Sequence, residues 1–415
     1  MIATHFLRAA LLASALTMGG AVVISAPTPA HAADAAKKFS PEVGKPLQAA
    51  QEALKARKYK EALDKLDEAD KASKKSAYET YTIETLRAAA YSGAGDMANF
   101  AKSLEATLAT GQVPDADKIN RDKLIAEAYF SVKNYAKFSA ASDRYYKDGG
   151  TDNRLKELAI QIYLDQKDYA NASKAARAMI QAQGGKPSKT LLQTVASAEY
   201  NMDHKAAFLD AMERILVNYP DQESWESVIR GVQKLPGFNS NRLQIDVLRL
   251  QIGAGLVKEP GPYLEFAQLA MSDGLGTEAK AVMDKGFKAG ILGKAQGDRE
   301  KRLADMAGKQ VEDDQRKLPD DEKEAGAQPD GKQLVKVGTQ YLALGNAAKA
   351  IEVIQAGIKK DQLKYPEEAK LRLVQAYLAA GQKPKALDAM KSIKGTDGTA
   401  DIARLYLIQA GVSPF

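Results

Sequence analysis

The chain has no cysteine among its 415 residues. That excludes disulfides, thiolate nucleophiles and cysteine-ligated metal centres. Histidine is almost as scarce: only His5, His31 and His204 occur, too few and too dispersed for a histidine cluster to hold a metal. Aromatic residues make up 7%, with a single Trp at 225. Beyond residue 32 no apolar run is long enough to cross a bilayer. Phosphate-binding glycine loops are missing as well, because GQKPKAL and GILGKAQ both fail the spacing. Net charge is only +6, with basic and acidic residues interleaved. This describes a solvated surface rather than a nucleic-acid-binding stripe. No cofactor, no metal and no nucleic-acid partner are therefore expected.

What is present is a globular composition, 45% hydrophobic and 27% charged. At this length several domains or a repeat array are the natural organisations. Residues 1–32 have the layout of a secretory signal peptide. Arg8 supplies the charged start, an apolar run follows from Ala9 to Ile24, and Ala30-His31-Ala32 forms an Ala-x-Ala exit. Cleavage after Ala32 and a periplasmic location are expected. An uncleaved membrane anchor is the alternative. No cysteine follows the apolar run, so lipid attachment of the bacterial lipoprotein kind is excluded, and no stable membrane insertion is expected after cleavage.

A recurring interval organises the rest. In LVKVGTQYLALGNAAKAIEVIQAGI, Val337, Gly338 and Tyr341 share one helical face. A turn follows at Gly345-Asn346, and Ala350, Ile354 and Gly357 share a face of a second helix. The next segment repeats this pattern 36 residues on, with Gly338 mapping to Val374 and Ala350 to Ala386. The same twelve-residue interval separates Ala50 from Ala62, Ala88 from Phe100, Ala126 from Phe138 and Ile160 from Ala172. It recurs for Ala196 and Phe208, and for Ala267 and Ala279. A turn begins seven residues after each first member, at Arg57, Gly95, Lys133, Lys167, Asp203 and Gly274. Two antiparallel helices cross closely only where small residues meet. A tyrosine such as Tyr91, Tyr129, Tyr163, Tyr341 or Tyr377 then fills the gap beside the crossing. One hairpin cannot bury its apolar face alone, so stacking is required.

These units resemble the tetratricopeptide repeat, whose period is about 34 residues. The resemblance covers most of residues 47–395. It implies an all-α fold: a right-handed superhelix of stacked antiparallel helix hairpins, a TPR-like α-solenoid. The departures are Phe100, Phe138 and Phe208 where the family prefers Ala, so those hairpins are expected to splay or shift. The expected organisation is a linker over 33–46, a divergent array over 47–297, a charged helix-and-loop connection over 298–330, a C-terminal repeat pair over 331–398, and a capping helix and tail over 399–415. Trp225–Leu256 reads as a distorted repeat with a turn at Pro236-Gly237. The stretch FSPEVGKPLQAAQEALKARKYKEALDKLDEAD resembles tetratricopeptide proteins described as components of TonB energy-transduction systems in proteobacteria.

Catalysis has little to work with. His204 falls in an inter-helix turn, unlike the buried, oriented imidazole of a Ser-His-Asp triad. Glu223-Ser224 has the opening of a lytic transglycosylase motif, but no Gly-Leu-Met-Gln-like segment follows, and Asp313-Asp314 and Asp320-Asp321 lie in a charged run. A binding protein without catalytic activity is the expected function, with a cell-wall-associated protein or a transglycosylase-like hydrolase as the alternatives. In the tetratricopeptide family the leading helices line the concave surface. That places Lys123, Glu127, Arg154, Gln161, Gln193, Tyr200, Arg372 and Gln375 as the candidate protein-binding residues. Their mixture of charges and amides suits a protein or extended peptide partner.

The export reading has a direct test. N-terminal sequencing of the protein recovered from a periplasmic fraction is expected to begin at Ala33. Recovery only from cytoplasm, with Met1 intact, would overturn it.

Overall fold

The computed structural model describes residues 39–294, 297–360 and 362–415, and the expected signal segment 1–32 lies outside them. Among the described residues there are twenty helices and no strand. They belong to two compact units, one ending at Ile162 and the other running from Tyr163 to Phe415.

The first unit stacks three hairpins: α1 (Pro41–Lys55) with α2 (Tyr59–Asp70), α3 (Ala77–Ala94) with α4 (Met97–Ala109), and α5 (Asp115–Ser131) with α6 (Tyr135–Lys147). The second helices of the first two hairpins, α2 and α4, also pack on the first helix of the next hairpin. The first helix begins at Pro41, inside the stretch expected as a linker, because Glu79 holds its start. That buried carboxylate accepts from the amide and hydroxyl of Ser40 (2.7 and 2.8 Å) and from those of Ser76 (2.8 and 3.0 Å). The Ser76 amide, then burial working against it and the Ser40 groups adding to it, leave the carboxyl at about 2.

Helix α7 (Arg154–Asp165) begins in the first unit and runs past its boundary, and α8 (Tyr169–Gln183) opens the second. Then come α9 (Lys189–Asn201), α10 (Lys205–Asn218), α11 (Gln222–Gln233), α12 (Ser240–Gly253), α13 (Pro260–Ser272) and α14 (Gly276–Lys288). The remaining helices are α15 (Gly297–Ala327), α16 (Lys332–Ala343), α17 (Ala347–Lys359), α18 (Pro366–Ala379), α19 (Lys383–Lys391) and α20 (Thr399–Gln409). Tight hairpins pair α9 with α10, α13 with α14, α16 with α17, and α18 with α19.

One turn closes every hairpin. The residue seven after each leading small residue has positive φ, at Arg57, Gly95, Lys133, Lys167, Asp203, Gly274, Gly345 and Gly381. The amide that follows donates back five residues, as from Asp96 to Tyr91 O (2.9 Å), Asn134 to Tyr129 O (2.9 Å) and Asp168 to Tyr163 O (2.8 Å). This is the Schellman way of ending a helix. The same following residue often caps the next helix: the carboxylate or amide oxygens of Asp96, Asn134, Asp168 and Asn346 accept from the amide three residues on. A two-residue link thus ends one helix and starts its partner.

The crossings use the small residues. Ala50, Ala62, Ala88, Ala126, Ala172, Ala267, Ala279, Ala350 and Ala386 are fully buried. Phe100 and Phe138 are also buried, in one cluster with Ala88 and Ala126, so large residues are compensated by small ones. The tyrosines beside the crossings send their hydroxyls to neighbouring helices: Tyr129 donates to Glu105 (2.6 Å) and Tyr341 to Glu322 (2.6 Å).

Two segments differ from expectation. The charged stretch 298–330 is one helix, α15, running through Pro319 to Ala327. Leu318 and Ala325 are buried against Leu334, Val337 and Val353, and Glu322 pairs with Lys349 at 2.8 Å. Anchors on both sides of Pro319 hold the helix across the missing backbone donor. Helix α20, expected as a terminal cap, is a core helix. It packs on α10, α12, α18 and α19, with Ile402, Ala403, Leu405 and Leu407 buried. Its partner α12 buries apolar residues on two sides because it separates two cores. Leu243, Val247 and Leu250 face one, while Ile245, Leu248 and Ile252 face the other.

The crossing at Gly338 tests this packing. A Cβ there would lie 2.5 Å from Ile354 Cγ1 and 3.0 Å from the Ile354 amide nitrogen. Gly338→Phe is expected to destabilise the protein by about 1–3 kcal/mol, read as a lower urea midpoint. A wild-type midpoint would refute the hairpin register.

Candidate functional site

The first unit brings three of the sequence-predicted residues together. Lys123 and Glu127 are one turn apart on α5, and Arg154 opens α7. Asp152 joins them: its carboxylate pairs with Lys123 and accepts from the Arg154 amide at 2.9 Å. The Asp152 amide donates to Tyr145 Oη (2.9 Å), and Tyr146 Oη donates to the Asp152 carbonyl (3.0 Å), which fixes the loop before α7. Glu127 is half-buried, and no hydrogen-bond donor among the described residues reaches its carboxylate. Burial raises its pKa, against the opposing pull of Lys123 and Arg154. The guanidinium of Arg154 is exposed and lies 3.7 Å from Glu157. Gln161 lies two turns further along α7, half-buried.

In the second unit a groove of about 520 Å³ runs along α8 and the α9–α10 turn, lined by Ser173, Lys174, Arg177, Gln181, Glu199 and His204 among others. At its base the buried Glu199 carboxylate accepts from Ser173 Oγ (2.6 Å) and Arg177 Nη2 (3.2 Å), and its other oxygen lies 2.9 Å from His204 Nδ1. Burial raises the Glu199 pKa, but Ser173, His204 and Arg177 outweigh it, and the carboxyl sits below its ordinary range. The serine and histidine both turn to the glutamate rather than to each other, so they do not form a Ser–His pair. Gln193 is exposed on α9. Two turns later on the same face stands Tyr200, 61% exposed and packed on Phe208 with ring centroids 5.6 Å apart.

Arg372 and Gln375 are not surface residues for a ligand, which corrects the sequence-based assignment. Both serve Asp246, a fully buried carboxylate in the middle of α12. Arg372 grips it with two hydrogen bonds of 2.6 and 2.7 Å, Gln375 Nε2 donates at 3.2 Å, and Tyr406 Oη donates at 2.8 Å. Arg249 adds a contact at 2.5 Å while its other edge holds Glu278. Burial alone would raise the Asp246 pKa, but Arg372 and Arg249 outweigh it and bring it to about 2. Helical spacing placed Arg372 one turn from the hairpin face, and it could not reveal that α12 returns to cover that side. The legible signal was the acid itself: Asp246 sits in the apolar run Ile245, Val247 and Leu248, where an unpaired charge is untenable.

The candidate glycosidase residues are placed plainly. Ser224 is buried and its amide caps α11 through Asp221 (2.7 Å), while Glu223 is exposed beside it. Among the described residues there is no group of three His, Asp or Glu side chains placed to hold a metal, and no helix long and apolar enough to cross a membrane.

No family model and no curated protein matches the chain. Some solved structures are similar to it at low identity. The complex of Naa15/Naa10 bound to HypK-THB is 13% identical over 89% of this chain and 61% of that one, with a TM-score of 0.32. The pentatricopeptide repeat protein PPR10 from maize is 12% identical over 87% and 61%, with a TM-score of 0.31. Yeast Tom70 is 12% identical over 89% and 95%, with a TM-score of 0.20. The chain thus spans about three fifths of the length of the first two.

The structural role of Arg372 gives a prediction. Arg372→Ala leaves Asp246 buried without its main partner and is expected to cost about 3–5 kcal/mol in urea unfolding. Asp246 has a folded pKa below its unfolded one. Its stabilisation is therefore complete above about pH 4 and is lost as pH falls through about 2. The stability gap between wild type and Asp246→Asn should accordingly narrow below pH 4. A pH-independent gap, or an Arg372→Ala protein as stable as wild type, would contradict this assignment.

Proposed function

We propose that this protein is a non-catalytic adaptor, which holds an extended segment of a partner protein on the face formed by α5 and the start of α7. The observation that carries this reading is the Glu127 carboxylate, half-buried, without a donor, and set between Lys123 and Arg154. A desolvated carboxylate with no hydrogen bond is costly, and an incoming peptide N–H or ammonium recovers that cost. Lys123 and Arg154 offer donors to carbonyl or carboxylate groups of the same segment. Alternating acceptors and donors suit a polypeptide backbone better than an apolar ligand.

The setting we propose is the periplasm, after export and cleavage following Ala32, with a place in an envelope assembly of the TonB type. The layout of residues 1–32 and the resemblance carried by residues 39–70 support it.

The mature chain, immobilised and exposed to envelope extract, should enrich a partner identified by mass spectrometry. Arg154→Ala and Glu127→Gln are each expected to weaken that partner's binding by about 2 kcal/mol or more, as truncating an interface anchor does. Lys74→Ala, an exposed change between α2 and α3, should leave it intact. An identical captured set from wild type and both variants would overturn the assignment of this face.

A further inference from the structure

Between the start of α10 and the end of α11 lies a cleft of about 150 Å³, walled by Tyr200, Phe208, Leu209 and Gly231. At roughly 30 Å³ per water it has the room of about five waters, enough for one medium-sized apolar side chain. Its existence follows from two local choices. Phe208 stands at a crossing position where most hairpins place alanine, and it remains half-buried, with its ring forming one wall. Gly231 forms the floor: a Cβ there would lie 2.4 Å from Leu209 Cδ2, so the missing side chain permits the approach of α11. Tyr200 stands over this space, a large exposed ring packed on Phe208.

The charges around the opening are mainly positive. Lys205 and Lys234 are on the rim with a single carboxylate, Asp203, whose distance from Lys205 is 4.0 Å. Through His204 the cleft adjoins the larger groove, which adds Lys174, while the groove's own acid, Glu199, is already engaged by Ser173, Arg177 and His204.

We propose that this cleft anchors one leucine- or phenylalanine-sized side chain of an acidic polypeptide segment, whose flanking carboxylates meet Lys205 and Lys234. The proposal rests on the protein-binding reading and adds to it a contact of defined chemistry. Tyr200 and Phe208 desolvate the anchor, and the lysines select the acidic flanks and speed encounter.

The test is fluorescence anisotropy with the full mature chain. The probe is a labelled nonapeptide with a central leucine between runs of glutamate and aspartate. Saturable binding is expected, weakened about tenfold when the central leucine becomes alanine. Tyr200→Ala and the double change Lys205→Glu with Lys234→Glu should each weaken it by about fivefold or more. Tyr200 is exposed, so its variant should keep the wild-type melting curve. Lys301→Glu, on the exposed side of α15, is the charge control and should bind like wild type. A peptide with lysine flanks binding equally well, an alanine-centred peptide binding equally well, or undiminished binding by Tyr200→Ala would each overturn the proposal. If the acidic peptide fails to bind while Arg154→Ala still loses the envelope partner, the cleft proposal falls and the α5–α7 face stands. If the peptide binds but that partner is unaffected by Arg154→Ala, the reverse holds.

Discussion

Two helices of about thirteen residues cannot bury an apolar stripe unless they cross closely and stack on another pair. Everything regular in this protein follows from that constraint. The close crossing demands small residues twelve apart, the short link demands a left-handed residue between them, and the stacking demands repetition. Where the left-handed position is Arg57, Lys133, Lys167 or Asp203 rather than glycine, the backbone conformation is unfavourable for an L-residue by about 1–2 kcal/mol. Those hairpins form regardless, because the capping bonds and the crossing they permit outweigh the strain.

A second interaction shapes the larger unit. An aspartate at the centre of α12 has no contact with water, and removing it from solvent without partners would be prohibitive. Arg372 from α18, Tyr406 from α20 and Arg249 from its own helix supply the partners. Nearby, Arg404 of α20 pairs with the buried Glu213 of α10 at 2.9 Å. Arg242 of α12 pairs with Asp397 at 2.9 Å and with Glu368 at 3.3 Å. These pairs join residues more than a hundred positions apart and specify one arrangement of the C-terminal helices against the middle of the chain. Their worth is more in selecting that arrangement than in net stability, since buried ion pairs rarely exceed their desolvation cost by much.

The surfaces proposed for binding are the places where this economy is incomplete. Glu127 is partly desolvated but unsatisfied, and Tyr200 is large, apolar and uncovered. The more deeply buried carboxylates Glu79, Glu199 and Glu213 are engaged by neighbours. The proposed binding surfaces rest on this contrast between engaged and unengaged groups.

The sequence by itself determined the hairpins. The twelve-residue interval located seven packed hairpin crossings among the described residues, and the turn positions read from it coincide with the left-handed residues, because these are local consequences of helical geometry within about thirty residues. It also listed Lys123 with Glu127 and Arg154 with Gln161 as candidates, each pair on one leading helix. Only the tertiary structure decided the fate of Arg372 and Gln375, the continuity of α15 through Pro319 and the burial of α20. Each of these depends on which distant helix arrives as a neighbour. Periodicity reports that a face must be covered, and it carries no information about what covers it.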